Sequence, residues 1–342
     1  MERSRLESIL NNFPNLRIAV AGDFFLDKWL EIDRSLDELS VETGLTAYQV
    51  IAKRLYAGVA GTILSNLAAL EIGKLYAIGF LGDDGEGFEM QRILSDLGIN
   101  TDHLPLYKEV MTPTYTKPVF RIKEGIEEIN RLDHKNIHPT PKKIEDRIIE
   151  SIREVAGKVD AIIVSDQLTN EGYGAITLHV REALADIGDK YTDLILYADS
   201  RAFINKFRNM IIKCNNLEAV RLFYPGEETT AGIDRVKECL CKLSSHSGRP
   251  VFISCGSNGV MTLGTNGKPV LVPARVLPPE IRIDIVGAGD ACTSGIVSAL
   301  CSGATYEEAA LVGNLVSSIT IQVIGTTGTA TRAQILASNN DY

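Results

Sequence analysis

Short apolar runs rich in β-branched residues alternate along the chain with segments whose apolar positions recur three or four apart. The first run, residues 16–21, ends in Gly22 and Asp23 and reads as a central strand. Residues 28–56 lack both periods. Trp29, Leu30 and Ile32, then residues 46–51, read as strands around a polar middle at 35–44, a small sheet standing off the main body as a lid. Gly58-Val59-Ala60-Gly61 opens a helix with Ile63, Leu64, Leu67, Ala68 and Ile72 on one face and Gly73 past its end. A strand follows at 75–80, then the turn Gly82-Asp83-Asp84-Gly85 and a helix at 88–97. Residues 101–107, 114–121 and 129–132 have β-like patterns and complete the lid, whose segments are set at about 28–57 and 101–135.

Beyond the lid the pattern alternates strand with helix. Strands are expected at 161–164, 194–198 and 251–254, and helices at 174–187, 217–222 and 227–243. Such alternation requires right-handed crossovers and a mostly parallel sheet flanked by helices, hence an α/β fold. Residues 260–263 and 269–272 form a hairpin around Gly264-Thr265-Asn266-Gly267. A Gly-rich turn at 287–289 leads into a helix reaching about residue 301, and a last helix spans 305–323. No internal repeat or long linker interrupts the 342 residues, so one domain with an excursion is expected.

A net charge of −9 argues against a nucleic-acid surface. No apolar run approaches the length of a membrane span, and no signal core precedes Pro14, so a cytoplasmic protein is expected. The six cysteines show neither a Cys-x-x-Cys pair nor zinc-ligand spacing, which fits thiols of a reducing compartment. The first strand lacks the three spaced glycines of a dinucleotide fingerprint.

The candidate chemistry lies at Gly287-Ala288-Gly289-Asp290. The first turn of a helix offers unpaired N–H groups and partial positive charge, and small residues let an anion approach them. Asp290 stands beside that anion site, where a carboxylate can take the proton of an attacking alcohol. The layout points to phosphoryl transfer to a hydroxyl. The same helix end is expected to hold the Asp290 pKa near or below the free value of about 3.9. Asp23 and Asp27, past the end of the first strand, are placed to grip sugar hydroxyls; Lys117, Arg121 and Arg131 are candidates for a substrate phosphate.

With these pieces in order, the chain resembles the ribokinase-like, or PfkB, carbohydrate kinases. Asp284-Ile285-Val286-Gly287-Ala288-Gly289-Asp290 is similar to that family's carboxy-terminal signature, with Ile285 where Thr is usual. The resemblance implies a ribokinase-like fold, Asp290 as catalytic base and Gly287, Ala288 and Gly289 as the anion hole. Asn215 and Glu218 resemble the Asn-x-x-Glu that holds the Mg²⁺ and phosphate environment. Ser254, Gly256 and Gly259 resemble the loop beside ATP, and Asn314 is placed near adenine. Asp284 is implied at a monovalent-cation site, taken as K⁺. The family's Gly-Gly pair reads Gly58-Val59 here and its following Asn reads Thr62, and the resemblance implies that both positions face the sugar. Gly22-Asp23, residues 26–29, Arg131-Leu132-Asp133 and residues 315–326 are similar to the branch of heptose 7-phosphate kinases joined to an adenylyltransferase. No second domain is expected after Tyr342, hence kinase activity alone. The alternatives are a nucleoside kinase of the same fold and a catalytically silent sugar or nucleotide sensor. Apolar lid residues, Trp29, Leu30, Leu45 and Val50 among them, lead to the expectation of a homodimer through the lid.

Overall fold

The computed structural model describes residues 1–122 and 125–339. Its centre is a nine-stranded sheet in the order Pro269–Val272, Val260–Leu263, Val251–Ser254, Ile211–Asn215, Ile195–Ser200, Ala161–Asp166, Arg17–Gly22, Lys74–Ile78, Asn100–His103. Pairing is parallel from Val251–Ser254 to Asn100–His103; only the terminal hairpin is antiparallel. The sheet is covered on both faces, so its inner strands are largely apolar rather than alternating. Ile18 and Val20 belong to one core with the helices Arg3–Asn12, Ala60–Ala69, Ala288–Cys301 and Tyr306–Thr320. Ala19 and Ala21 point into the other, with Lys142–Ala156, Leu178–Lys190 and Ile233–Ser247.

Strand order reverses between Arg17–Gly22 and Ala161–Asp166. Open α/β sheets bind ligands in the crevice beyond the carboxyl ends of the strands at such a point. The lid departs from that edge. After Asp23 the chain runs straight into Phe24–Ile32, which pairs with Thr114–Ile122 in parallel and with Val50–Val59 antiparallel. Gly125–Glu128 and Leu132–His134 extend this second sheet.

Several expectations need correction. Asn100–His103 is an edge strand of the main sheet, and Leu106–Tyr107 pairs with Leu81–Gly82, so the second lid segment begins at Thr114. A short run with alternating polarity looks the same in a lid as at a sheet edge. The Val50–Val59 strand continues through Gly58, and the helix opens only at Ala60. The helix expected from 174 starts after its cap at Thr177, and the one expected from 227 starts at Ile233. The strand Ile211–Asn215 and the helices Arg3–Asn12, Lys142–Ala156 and Arg332–Ser338 were not anticipated.

Candidate active site

Gly287 caps the helix Ala288–Cys301 at φ 79°, a left-handed backbone that suits glycine. A Cβ there would stand 3.0 Å from Thr327 and 3.5 Å from the Thr62 methyl, which places Thr62 against the turn. The Ala288 N–H closes a turn onto the Ile285 carbonyl at 3.1 Å. That corrects the expectation that Ala288 donates to an anion: the amides of Gly289 and Asp290 are the ones left without a helical partner. The helix is held by its neighbours. Ser294 donates to the Ile63 carbonyl at 3.2 Å and Ser317 to that of Ala288 at 3.1 Å.

Asp290 is half-buried. Its carboxyl is pushed up to about 7, first by burial and then by the charge of Asp199, against the pull of Lys213 and Arg201. The expectation of a value near or below 3.9 is therefore overturned: desolvation and a second carboxylate outweigh the helix end. Asp199, last but one in Ile195–Ser200, bonds Lys213 Nζ at 2.6 Å and accepts from Thr293 Oγ1 at 3.3 Å. Neither Asp199 nor Lys213 figures among the residues expected from sequence. Asp199 had a signal, an acid at the carboxyl end of an apolar run; a lysine inside a buried strand had none. Arg201 follows the same strand, exposed, and its charge reaches both Asp290 and Glu218.

Asn215 and Glu218 cap the helix Asn216–Phe223 reciprocally. Asn215 Oδ1 accepts from the Glu218 N–H at 2.8 Å, and Glu218 Oε2 accepts from the Asn215 N–H at 2.9 Å. Burial, then the charge of Asp199, holds the Glu218 carboxyl above its usual range despite the Asn215 amide. Ser254 Oγ lies 3.5 Å from the Cys214 carbonyl. Gly256 and Gly259 have φ of 58° and 103°, and a Cβ on Gly259 would strike the Val272 carbonyl at 2.1 Å. Asn314, expected beside a base, donates both amide protons to backbone, the Val272 and Pro273 carbonyls at 3.0 and 2.8 Å. Asp284, expected as a metal ligand, is found as a loop clasp: its oxygens accept the Val286 and Gly325 N–H groups, each at 3.1 Å.

On the lid side, Asp27 Oδ1 meets Lys117 Nζ at 3.1 Å, and Lys117 lies over the Trp29 ring at 4.9 Å. A Cβ on Gly58 would come within 2.8 Å of Asp27 Oδ2, so Gly58 keeps that carboxylate in place. The charge of Asp27 adds a small further upward push to the Asp290 carboxyl. Arg131 is bound to Asp133 at 2.6 Å and stacks over Tyr115 at 4.7 Å. Arg121 is taken up by Glu31 at 2.9 Å. Asp23 is a correction: it is 5% exposed and accepts the Gln167 and Ala175 N–H groups at 3.1 and 2.8 Å. It pins the switch point and has no face left for a sugar.

A cavity of about 590 Å³ opens at the opposite, amino-terminal edge of the sheet, with Asp193, Asn209, Arg249 and Tyr306 in its wall. It shares no residue with the turn, so chemistry rather than hollowness locates the site.

The pfkB family carbohydrate kinase profile matches residues 29–333. The chain belongs to this family. Among curated relatives, the bifunctional protein HldE of Geotalea uraniireducens is 25% identical over 338 residues, covering 98% of this chain and 66% of that protein. The HldE protein of Wolinella succinogenes is 26% identical over 336 residues, covering 96% and 65%. The chain thus spans about two thirds of the length of these relatives. Arabidopsis thaliana ribokinase, solved with ribose and ATP, superposes with a TM-score of 0.70 at 19% identity, over 94% of this chain and 98% of that one. Escherichia coli phosphofructokinase-2, solved with potassium, gives 0.69 at 15% identity over 95% and 98%. These neighbours confirm a ribokinase-like α/β fold.

Proposed function

We propose that the protein transfers the γ-phosphoryl group of ATP to a hydroxyl of a sugar or sugar phosphate, with heptose 7-phosphate the first acceptor to try. The observation that carries this reading is the placement of Asp290 in the first turn of a glycine-capped helix, where burial and the charge of Asp199 raise its carboxyl to about 7. The likeness of Gly22-Asp23, residues 26–29 and Arg131-Leu132-Asp133 to heptose 7-phosphate kinases supports the heptose acceptor.

Asp27 accepts hydroxyls of the acceptor, and Lys117, bound to Asp27, brings positive charge to the same lid face. Asp290 aligns the attacking hydroxyl and takes its proton as the new O–P bond forms. The bond from Pγ to the bridging oxygen breaks, and its electron pair leaves on ADP. The amides of Gly289 and Asp290 stabilise charge on the moving group. A base with a pKa near 7 is matched to a proton transfer at neutral pH. Among the described residues no three His, Cys, Asp or Glu side chains are grouped to hold a metal ion. Glu218 and Asn215 would be the residues that hold the Mg²⁺ brought in with ATP. When bound, it neutralises charge on the phosphates. The lid sheet excludes water and limits ATP hydrolysis.

ATP consumption over a panel of sugars, sugar phosphates and nucleosides tests the reading. Turnover confined to sugars or sugar phosphates supports it. Turnover with nucleosides alone replaces it with a nucleoside kinase, and nucleotide binding without turnover replaces it with a sensor. Asp290→Asn is expected to bind ATP and to lower kcat at least about 10²-fold; normal turnover removes Asp290 from the role. We further propose that the lid pairs with the lid of a second copy.

A further inference from the structure

Lys213 has no part in the mechanism above, yet it is the most unusual residue of the core. It is 4% exposed, in the middle of the central strand Ile211–Asn215. Its ammonium makes two bonds, to Asp199 Oδ2 at 2.6 Å and to the Gly289 carbonyl at 3.1 Å. Asp199 also accepts from Thr293 Oγ1, on the same helix as Gly289 and one turn further on. Two central strands are thus tied to the first two turns of the helix that carries Asp290. Gly289 makes room for this, since a Cβ there would stand 3.2 Å from Lys213 Nζ. An apolar side chain would fill a core strand without the cost of desolvating a charge, so a buried lysine bonded to a functional turn calls for a reason other than stability.

The carbonyl of Gly289 and the N–H of Asp290 are the two ends of one peptide unit. An ammonium on the carbonyl draws electron density through the amide, strengthens the N–H as a donor, and fixes the plane of the peptide. We propose that Lys213 is the positioning residue of the anion site: held by Asp199, it orients and polarises the Gly289–Asp290 peptide that receives the phosphoryl group. It also supplies fixed positive charge beneath the turn. The charged and titratable groups around it are Asp199, Asp290, Glu218, Cys214 and Cys292, with Arg201 on the far side of Asp290. The effect on turnover rests on the phosphoryl-transfer reading; the effect on anion binding does not.

The test is a cycle of Lys213→Met, Asp199→Asn and the double variant, each followed by thermal unfolding, steady-state kinetics and titration of the unliganded protein with inorganic phosphate, read at the Gly289 and Asp290 amide resonances. Lys213→Met alone leaves Asp199 without its cation and can fail to fold; the double variant removes both charges and restores stability. In the double variant kcat is expected to stay about 10- to 100-fold down, the loss of one charge-assisted hydrogen bond, with the acceptor's KM unchanged and the phosphate response weakened. A double variant with wild-type kcat and wild-type phosphate response overturns the proposal and leaves Lys213 a packing residue. If wild type turns over no acceptor but the phosphate response still depends on Lys213, the kinase reading falls and the positioning role stands.

Discussion

Two demands on one carboxylate meet at Asp290. To accept a proton it must be basic, and to sit beside an anion hole it must tolerate the phosphate's charge; burial and the neighbouring Asp199 serve the first by raising its pKa to about 7. The sign is simple: the base form grows as pH rises. We expect kcat/KM, which reports the free enzyme, to rise about tenfold per pH unit below a pH of about 7 and to level above it. A profile flat from pH about 5 to 8 would show that another group takes the proton. A second carboxylate lets the same physics be read as stability. Asp166 is 4% exposed, accepts from Ser200 Oγ at 2.8 Å, and is pushed from 3.8 up to about 7 by burial first and by Asp23 next. Because its folded pKa is raised, its stabilisation is complete below the unfolded value and is lost as pH climbs through about 7. Asp166→Asn removes that dependence. Its Tm relative to wild type should therefore climb between pH about 4 and 7 and level above it, and a gap independent of pH would show that Asp166 stays ionised in the fold.

Among the elements, the junction from lid to helix holds the clearest strain. Val59 ends the strand Val50–Val59 at φ 58°, ψ −114°, a conformation that a β-branched residue rarely adopts. Strain of this kind costs about 1–3 kcal/mol, more than the about 0.5–1 kcal/mol that glycine loses in backbone entropy. Val59→Gly is accordingly expected to raise Tm, or at least to hold it; a fall would mean that packing of the valine side chain outweighs the backbone. This junction also shows where sequence is legible and where it stops. The first strand, the Gly264 hairpin and the glycine-capped helix announce themselves through local chemistry: apolar runs, turn residues, a cap. The apolar stripe Ile144, Ile148, Ile152 and Val155 of the helix Lys142–Ala156 was equally legible, though it was not among the expected elements. Ile211–Asn215 was not legible, because Lys213 breaks the apolar run and only its tertiary partners Asp199 and Gly289 explain a buried charge there. Likewise Asp23 and Asp27, four residues apart, look equivalent in sequence. One is enclosed by the amides of Gln167 and Ala175, the other opens toward the lid, and that difference is made by segments far along the chain.

At the scale of the whole molecule, several large apolar side chains lie outside the two cores, and one group of them is gathered on the lid. Leu39 and Leu45 are 72% and 71% exposed, Val41 is fully exposed, and Leu36, Tyr48 and Val50 are about half so. Trp29 and Leu30, expected among them, are half-buried, Trp29 between Arg54 and Lys117. The exposed set is concentrated around the small hairpin of Glu38–Leu39 with Thr46–Ala47 and the start of Val50–Val59. Scattered singly, such residues need no partner; gathered on one projecting sheet, they mark an interaction surface. Glu38 and Glu42 are exposed among these residues, but the apolar set is what contact with a partner would remove from water. A second lid presents the same apolar set in a self-complementary, two-fold arrangement. Light scattering at micromolar concentration should therefore give twice the chain mass for wild type and the single chain mass for Leu39→Asp/Leu45→Asp. Both substitutions fall on the exposed face, so thermal unfolding of the variant should stay cooperative. A monomeric wild type, or a doubly substituted protein that remains dimeric, would place the lid's apolar face in contact with something other than its own copy.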